Sequence, residues 1–363
     1  AVSDKASGAV LLSPTAVTGT THTRARLVAC ASYVLLFCHE GTDSVVGNIT
    51  VRAFSPASTN PATWSSVLGA AGVTVLAAAS SGAYYDAVYD SVNAVALFAS
   101  RRAVTTSYEV ATVTDAATPV VTALTKARTC DGPIAIAGSP TGTVQLIRGN
   151  GTNIQGDYLT SALADTTTAQ AIGTVSSGPV DHITCAYRSA TDGGFYRCYA
   201  FWTHDQETGA GGWECKSNYV DTNGTIGSEG NFVLKLGIGS RAFNHDGRVY
   251  FWGVFAGESS FSGASPSAFR SALQNTYFLY RDDATLHAKC AATRGGGLAL
   301  SLGRLPGVAL TSGTTVYSWC ATEKRIIPLG TAGKQYGYGD RGPRDVTFTF
   351  DSNEARRCVK IGE

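Results

Sequence analysis

The chain has 363 residues, 44% of them hydrophobic and only 15% charged, with a formal net charge of +1. That charge content lies well below the roughly 25% usual in soluble domains, so the polar surface must come from Thr, Ser, Asn and Gly. The balance of 28 basic and 27 acidic residues excludes a general attraction to nucleic acid, and no Lys/Arg run forms a binding tract.

Residues 1–25 are Ala-, Ser-, Thr- and Gly-rich with little periodicity and read as an entering arm containing a short strand, Ala9–Leu12. Residues 26–363 read as one domain. Its first strong strand signal is Arg26–Phe37, with Ala31-Ser32 as a turn inside it, followed by Asn48–Phe54 with period-two alternation. Val73–Ala79 comes next, then Tyr84–Asp90, Ala94–Ser100 and Ser107–Val113. Pro133–Ala137 and Thr143–Arg148 form a hairpin across a Gly/Ser/Pro turn, and His182–Tyr187 and Phe195–Thr203 form another across Asp192-Gly193-Gly194. Gly212–Tyr219 adds a third strand to that group.

The densest stretch runs from Arg241 to Lys289. There the turn signal His245-Asp246-Gly247 introduces the aromatic run Arg248–Phe255, and Gln274–Tyr280 and Thr285–Lys289 flank the turn Arg281-Asp282-Asp283-Ala284. It reads as one complete repeating unit, with Trp252 and Tyr277 as packing residues and the long loop Ala256–Ser271 as its place of contact with a partner. Thr314–Cys320, Lys324–Pro328, Thr347–Phe350 and Cys358–Ile361 close the series. Helical signals are thin, confined to Pro266–Leu273 and Tyr158–Ala171, and neither carries a sustained apolar stripe.

The inner strands recur at about 55 residues, compatible with propeller blades of roughly 40–50 residues plus insertions. The expected fold is therefore all-β, a β-propeller of about 6–7 blades, with tandem β-sandwiches as the alternative. No composition shift or Pro-rich linker divides the chain. Methionine is absent, including at position 1, and the chain stops on a strand-like run, so an excerpt of a longer polypeptide is expected.

Nine cysteines occur singly, at positions 30, 38, 130, 185, 198, 215, 290, 320 and 358, with no C-x-x-C. They read as reduced core thiols of a protein assembled in the cytosol. The longest apolar runs fall far short of the roughly 18 residues of a membrane span, and no signal peptide is evident.

Candidate chemistry is sparse. His204, Asp205, Gln206, Glu207, Glu214 and Asp221 gather a His and carboxylates suited to a metal or a general acid, but read more simply as a polar hairpin loop between Trp202 and Trp213. Trp202, Trp213, Trp252 and Trp319 suit either a glycan-binding surface or blade-packing core, and aromatic residues exposed on a loop would favour the former. Asp192-Gly193-Gly194 and Asp246-Gly247 lack the spacing of sialidase-type Asp boxes and read as hairpin turns. Arg101-Arg102 and Arg356-Arg357 are isolated pairs suited to surface or subunit contacts. Asn48-Ile49-Thr50, Asn150-Gly151-Thr152 and Asn223-Gly224-Thr225 fit glycosylation sequons. There is no G-x-S-x-G elbow and no preferred carboxylate pair of a glycoside hydrolase. The reading assigns no catalytic, cofactor-binding or metal residue and no cofactor.

The segment Tyr85-Asp86-Ala87-Val88-Tyr89-Asp90-Ser91, continued by Ala94-Val95-Ala96-Leu97, resembles a strand pair of large tail proteins of double-stranded DNA bacteriophages. Arg241–Trp252 followed by Leu273–Leu279, the Gly-rich run ahead of Leu305-Pro306, and Cys358–Gly362 are similar to further segments of those proteins. Together they resemble the propeller-bearing tail nozzle and tail-tip proteins of short-tailed phages. That resemblance implies a structural, non-enzymatic virion component involved in tail assembly and genome delivery. Its implied partners are other copies of itself in a ring and other tail proteins, with assembly in the host cytoplasm. The alternative function is a carbohydrate-binding propeller that recognises a host surface glycan.

Overall fold

The computed structural model describes residues 2–3, 10–12, 22–40, 47–55, 72–79, 85–102, 107–176, 180–205, 213–232, 234–235, 242–245, 247–255, 275–282, 286–292, 308–310, 316–320, 325–330, 335–339, 342–347 and 359–360. Strands β1 (Val2–Ser3) and β2 (Val10–Leu12) pair with each other. Four antiparallel four-stranded sheets then follow in strict chain order. The first holds β3 (His22–Ala29), β4 (Val34–Glu40), β5 (Gly47–Phe54) and β6 (Val73–Ala79); β3 thus begins inside the stretch read as the entering arm. The second holds β7 (Tyr85–Asp90), β8 (Val95–Arg101), β9 (Tyr108–Thr114) and β10 (Val121–Lys126). The third holds β11 (Ile134–Gly138), β12 (Val144–Asn150), β13 (Asn153–Leu159) and β14 (Asp165–Thr174). The fourth holds β15 (His182–Tyr187), β16 (Arg197–Asp205), β17 (Trp213–Asp221) and β18 (Gly230–Phe232).

A five-stranded sheet comes next, from β19 (Leu234–Lys235), β20 (Ala242–His245), β21 (Arg248–Phe255), β22 (Asn275–Arg281) and β23 (Leu286–Ala292). It contains the aromatic unit read from the sequence. Two three-stranded sheets complete the described residues: β24 (Val308–Leu310), β25 (Val316–Cys320) and β26 (Arg325–Gly330), then β27 (Gln335–Gly339), β28 (Gly342–Thr347) and β29 (Val359–Lys360).

Each four-stranded sheet is a blade, because consecutive sheets pack face to face and side-chain parity sorts residues between the two neighbours. Ala96 and Phe98 of β8 enter the core shared with the first blade, beside Leu35, Phe37 and Val51. Leu97 and Ala99 of the same strand enter the next core, with Ile134, Ile136, Val144 and Leu146. The alternation repeats in β11, where Ala135 and Ala137 turn toward Ile183, Cys185 and Trp202 of the fourth blade. In β16, Cys198, Ala200 and Trp202 face the third blade while Tyr199 and Phe201 face Val249 and Phe251 of the fifth sheet. Phe201 and Phe251 stack with ring centroids 3.8 Å apart. Four successive cores in chain order make an all-β propeller and exclude the tandem sandwiches.

The blade count departs from the expected 6–7. Among the described residues four complete four-stranded blades are present, and the sheets beyond them have five, three and three strands. Unequal strand numbers and long insertions had blurred the period. Tyr158–Ala171 is also not helical: it comprises the end of β13, a turn and most of β14. Its Thr166-Thr167-Thr168 run suits an extended edge, since β-branched side chains lose rotamer freedom in a helix. Pro266–Leu273 lies outside the described residues.

Large side chains fit this core where glycine gives way. A Cβ on Gly173 would come within 2.4 Å of the Trp202 ring, which is 0% exposed. Trp202 is thus a packing residue of the core between the third and fourth blades.

Buried polar groups join the blades near their first strands. Arg26 of β3 forms an ion pair with Asp86 of β7, and its Nε donates to the Ala87 carbonyl at 3.2 Å. Asp86 Oδ2 also accepts from the Ile136 amide of β11 at 3.0 Å, so this carboxylate touches three consecutive blades. Burial pushes the Asp86 carboxyl above and the Arg26 guanidinium below their ordinary ranges, and the attraction between them opposes both.

Between the second and third blades, Asp157 is 0% exposed. It accepts from Tyr108 Oη at 2.5 Å, Arg148 Nε at 3.0 Å and the Ala169 amide at 2.7 Å. Asp165 at the rim pairs with Arg128 and, at 2.8 Å, with Lys126 Nζ. The Arg128 hydrogen bond, with smaller help from Lys126, holds the Asp165 carboxyl below its ordinary 3.8.

Two outcomes follow from these junctions. Asp86→Ala leaves Arg26 buried without its partner and should cost about 3–5 kcal/mol in urea unfolding, most of which the double change Arg26→Met with Asp86→Leu should restore. Asp165, whose folded-state pKa is depressed, contributes stability above its unfolded value and loses it as pH falls through the folded value. Urea midpoints measured from about pH 5 down to about pH 2.5 should therefore fall less steeply in Asp165→Asn than in the wild type.

Candidate functional site

The richest surface cluster lies where the hairpin turns of the fourth blade meet those of the fifth sheet. Strands β15 and β20 run toward this end and β16 and β21 run away, so their connections share it. In the β15–β16 connection, Gly193 and Gly194 take φ of 61° and 87°, left-handed values that a side chain would disfavour. Paired backbone hydrogen bonds between Asp192 and Phe195, at 2.9 and 3.2 Å, pin the tip, and Arg188 N donates to the Arg197 carbonyl at 2.8 Å at its base. This frame holds Phe195 40% exposed.

Around that aromatic tip stand planar and charged groups. Arg197 pairs with Asp192, and its guanidinium lies 4.2 Å from the centre of the Tyr219 ring. Burial works against the charge of Arg197, but the Tyr199 hydroxyl and the nearby Tyr219 and Asp192 outweigh it and raise its pKa. Arg188 reaches both ways: Nη1 lies 3.6 Å from Asp192, and Nε lies 3.6 Å from Asp282 Oδ2 and donates to the Gly247 carbonyl at 3.2 Å. Asp282 also takes Arg248 Nη2 at 2.6 Å and the Val249 amide at 3.1 Å. Asn244 donates to the Tyr187 carbonyl at 3.0 Å and accepts from Ser189 Oγ at 3.1 Å. Ser189, Asp192, Phe195 and Asn244 are exposed.

This arrangement offers an apolar ring, guanidinium forks, a carboxylate, an amide and a hydroxyl on one rigid end. Among the described residues no three His, Cys, Asp or Glu side chains gather as metal ligands. Cys30, Cys38, Cys130, Cys185, Cys198 and Cys215 are free thiols. Burial pushes Cys130 and Cys215 up to about 12, which denies them thiolate character near neutral pH.

The residues singled out in the sequence scatter. His204 is buried with Nδ1 3.8 Å from Asp181, and Asp221 caps the turn after β17 by accepting from the Thr225 amide at 2.9 Å. Gln206 and Glu207 lie outside the described residues, as do the side chains of Asp205, Trp213, Glu214, Trp252, Tyr277 and Trp319. Arg101 donates to the Asp131 carbonyl at the entry to the third blade, and Arg102 pairs with Glu109 at 2.7 Å within the second. Arg356-Arg357 and the loop Ala256–Ser271 are outside the described residues. No sequence pattern marks Phe195, Arg188 or Asn244 as site residues. The Asp192-Gly193-Gly194 turn marked their neighbourhood, but no local pattern says that two turns from different sheets meet.

The fold and this turn face define a β-propeller with a polar, aromatic-tipped end. No family model and no curated protein matches the chain. Among solved structures it is similar to hydrazine synthase of Kuenenia stuttgartiensis, with TM-score 0.50 at 10% identity over 85% of this chain and 76% of that one. It is also similar to a lectin of Aleuria aurantia in complex with alpha-methyl-L-fucoside, with TM-score 0.47 at 9% identity over 91% and 96%. An exo-beta-1,3-galactanase from Phanerochaete chrysosporium, solved with beta-1,3-galactotriose, gives TM-score 0.43 at 9% identity over 87% and 68%. These likenesses concern the fold. The expectation of a protein without enzymatic activity is corrected on this point: the solved structure matched at TM-score 0.50 is a synthase, so this fold does not imply a non-enzymatic protein.

Proposed function

We propose that the chain is a carbohydrate-recognising propeller that binds saccharide at the turn end between the fourth blade and the fifth sheet. The observation that carries this reading is Phe195, 40% exposed on a turn pinned to Asp192, the carboxylate that Arg188 and Arg197 approach. A single exposed aromatic residue is ordinary on a protein surface; its surroundings give it weight here. A sugar presents a C–H face and a rim of hydroxyls. The ring suits the first, and planar guanidinium, carboxylate and amide groups suit the second. The low charge of the chain fits a neutral, hydroxyl-rich ligand.

On a glycan array the intact chain should show saccharide binding, and Phe195→Ala should weaken the best ligand at least about fivefold, equivalent to about 1 kcal/mol. The thermal midpoint should not change, since the ring is surface-borne. Wild-type protein that binds nothing across the array defeats the reading.

A second reading, a bacteriophage tail component, is supported by where the resembling segments fall. Tyr85–Asp90 with Val95–Leu97 forms the β7–β8 hairpin, and the second segment spans β20, β21 and β22. On that reading the protein belongs to the virion tail and meets tail proteins and copies of itself. Cryo-electron microscopy of tailed particles from the source should then show this propeller in the tail, and tails that lack its density would remove the reading.

A further inference from the structure

The outer edge of the second blade differs from the other outer edges in a way that points to a partner. An outermost strand presents unpaired backbone N–H and C=O groups, and proteins blunt such edges with bulges, charges or short strands. Such devices are present elsewhere. The β5–β6 ladder shifts register between Gly47 and Ile49 and between Ile49 and Thr50. The β13–β14 ladder shifts three times, and Ala169 in β14 takes a left-handed φ of 52°. Strand β18 has three residues. The β22–β23 ladder shifts between Leu279 and Tyr280.

Strand β10 has none of these. Val121–Lys126 pairs with β9 residue for residue and without a shift, and among the described residues it pairs with no other strand. Thr122, Ala123, Leu124 and Thr125 are all exposed, and none is charged. Lys126, the one charged residue, is buried and bound to the Leu163 carbonyl at 2.6 Å and to Asp165 at 2.8 Å, so it does not guard the edge. Val120 and Leu124 add apolar surface at 61% and 39% exposure.

We propose that β10 is a docking edge for a second copy of this chain, the two β10 strands pairing antiparallel about a two-fold axis at Ala123. An isologous interface requires the edge to be complementary to itself. Antiparallel pairing also requires opposed residues to share a face, which places the axis on a residue. Centred on Ala123, the pairing sets Ala123 against its own copy, Thr122 against Leu124 and Val121 against Thr125. No like charges meet in that register, and each cross-strand pair joins small, β-branched or apolar side chains. A charged peptide from another protein would find no complementary charge on this strand.

The test is the mass of the intact chain in solution by sedimentation equilibrium, for wild type, Ala123→Lys, Ala123→Glu and an equimolar mixture of the two variants. The wild type should be a dimer. Each variant alone should be monomeric with the circular dichroism of a folded β protein, since Ala123 is exposed in the single chain, and the mixture should recover a heterodimer as opposite charges meet at the axis. A monomeric wild type, or variants that dimerise as well as the wild type, overturns the proposal. None of these measurements involves saccharide, so the outcome is independent of the glycan reading.

Discussion

A sheet with no solvent face imposes the constraint on which this structure depends. In the second, third and fourth blades the inner strands bury both surfaces, one against the preceding sheet and one against the next, and adjacent residues of one strand serve different cores. A polar side chain in such a strand has no route to water, so it must find its partner inside. Arg26 and Asp86 do so across blades, Asp157 does so by accepting from Tyr108 of the second blade, and Arg148 pairs with Asp157 within the third. These contacts align blades more than they add net stability, because desolvation takes back much of what a buried pair gains.

The same constraint accounts for the composition. A chain whose sheets are sandwiched between neighbours has little surface to charge, and 15% charged residues suffice for it. Charge that reaches the surface gathers at turn ends, as with Arg188, Asp192, Arg197 and Arg248. Rigid strands below hold those turns in place, a good foundation for recognition. Strand β10 shows the other consequence of radial packing. Every blade ends in an outer edge, and that edge must be disarmed or used.

The likeness to a synthase at TM-score 0.50 concerns the fold, and a fold does not by itself choose an activity. The site decides. What this end of the molecule offers is an aromatic tip beside hydrogen-bonding groups, without a gathered metal-ligand set among the described residues.

The all-β class, the absence of a membrane helix signal and most strand positions were legible in the sequence. Alternation, β-branched residues and Gly-bearing turns act over a few residues and need no knowledge of neighbours. Asp192-Gly193-Gly194 was legible as a turn because φ of 61° and 87° demands glycine there. Blade number was not legible, since strand count per sheet depends on which edges pair, and β10 and β14 carry exposed Thr and Ala with no buried stripe to announce them. Nor was the fate of Trp202, which packs against Gly173 twenty-nine positions away, or of Phe195, whose exposure results from a turn held by its own backbone. Local periodicity thus determined what each segment is. Only the tertiary structure decided which segments meet, because contacts between blades join residues some 50 positions apart, as Asp86 joins Ile136, and no local pattern encodes that separation.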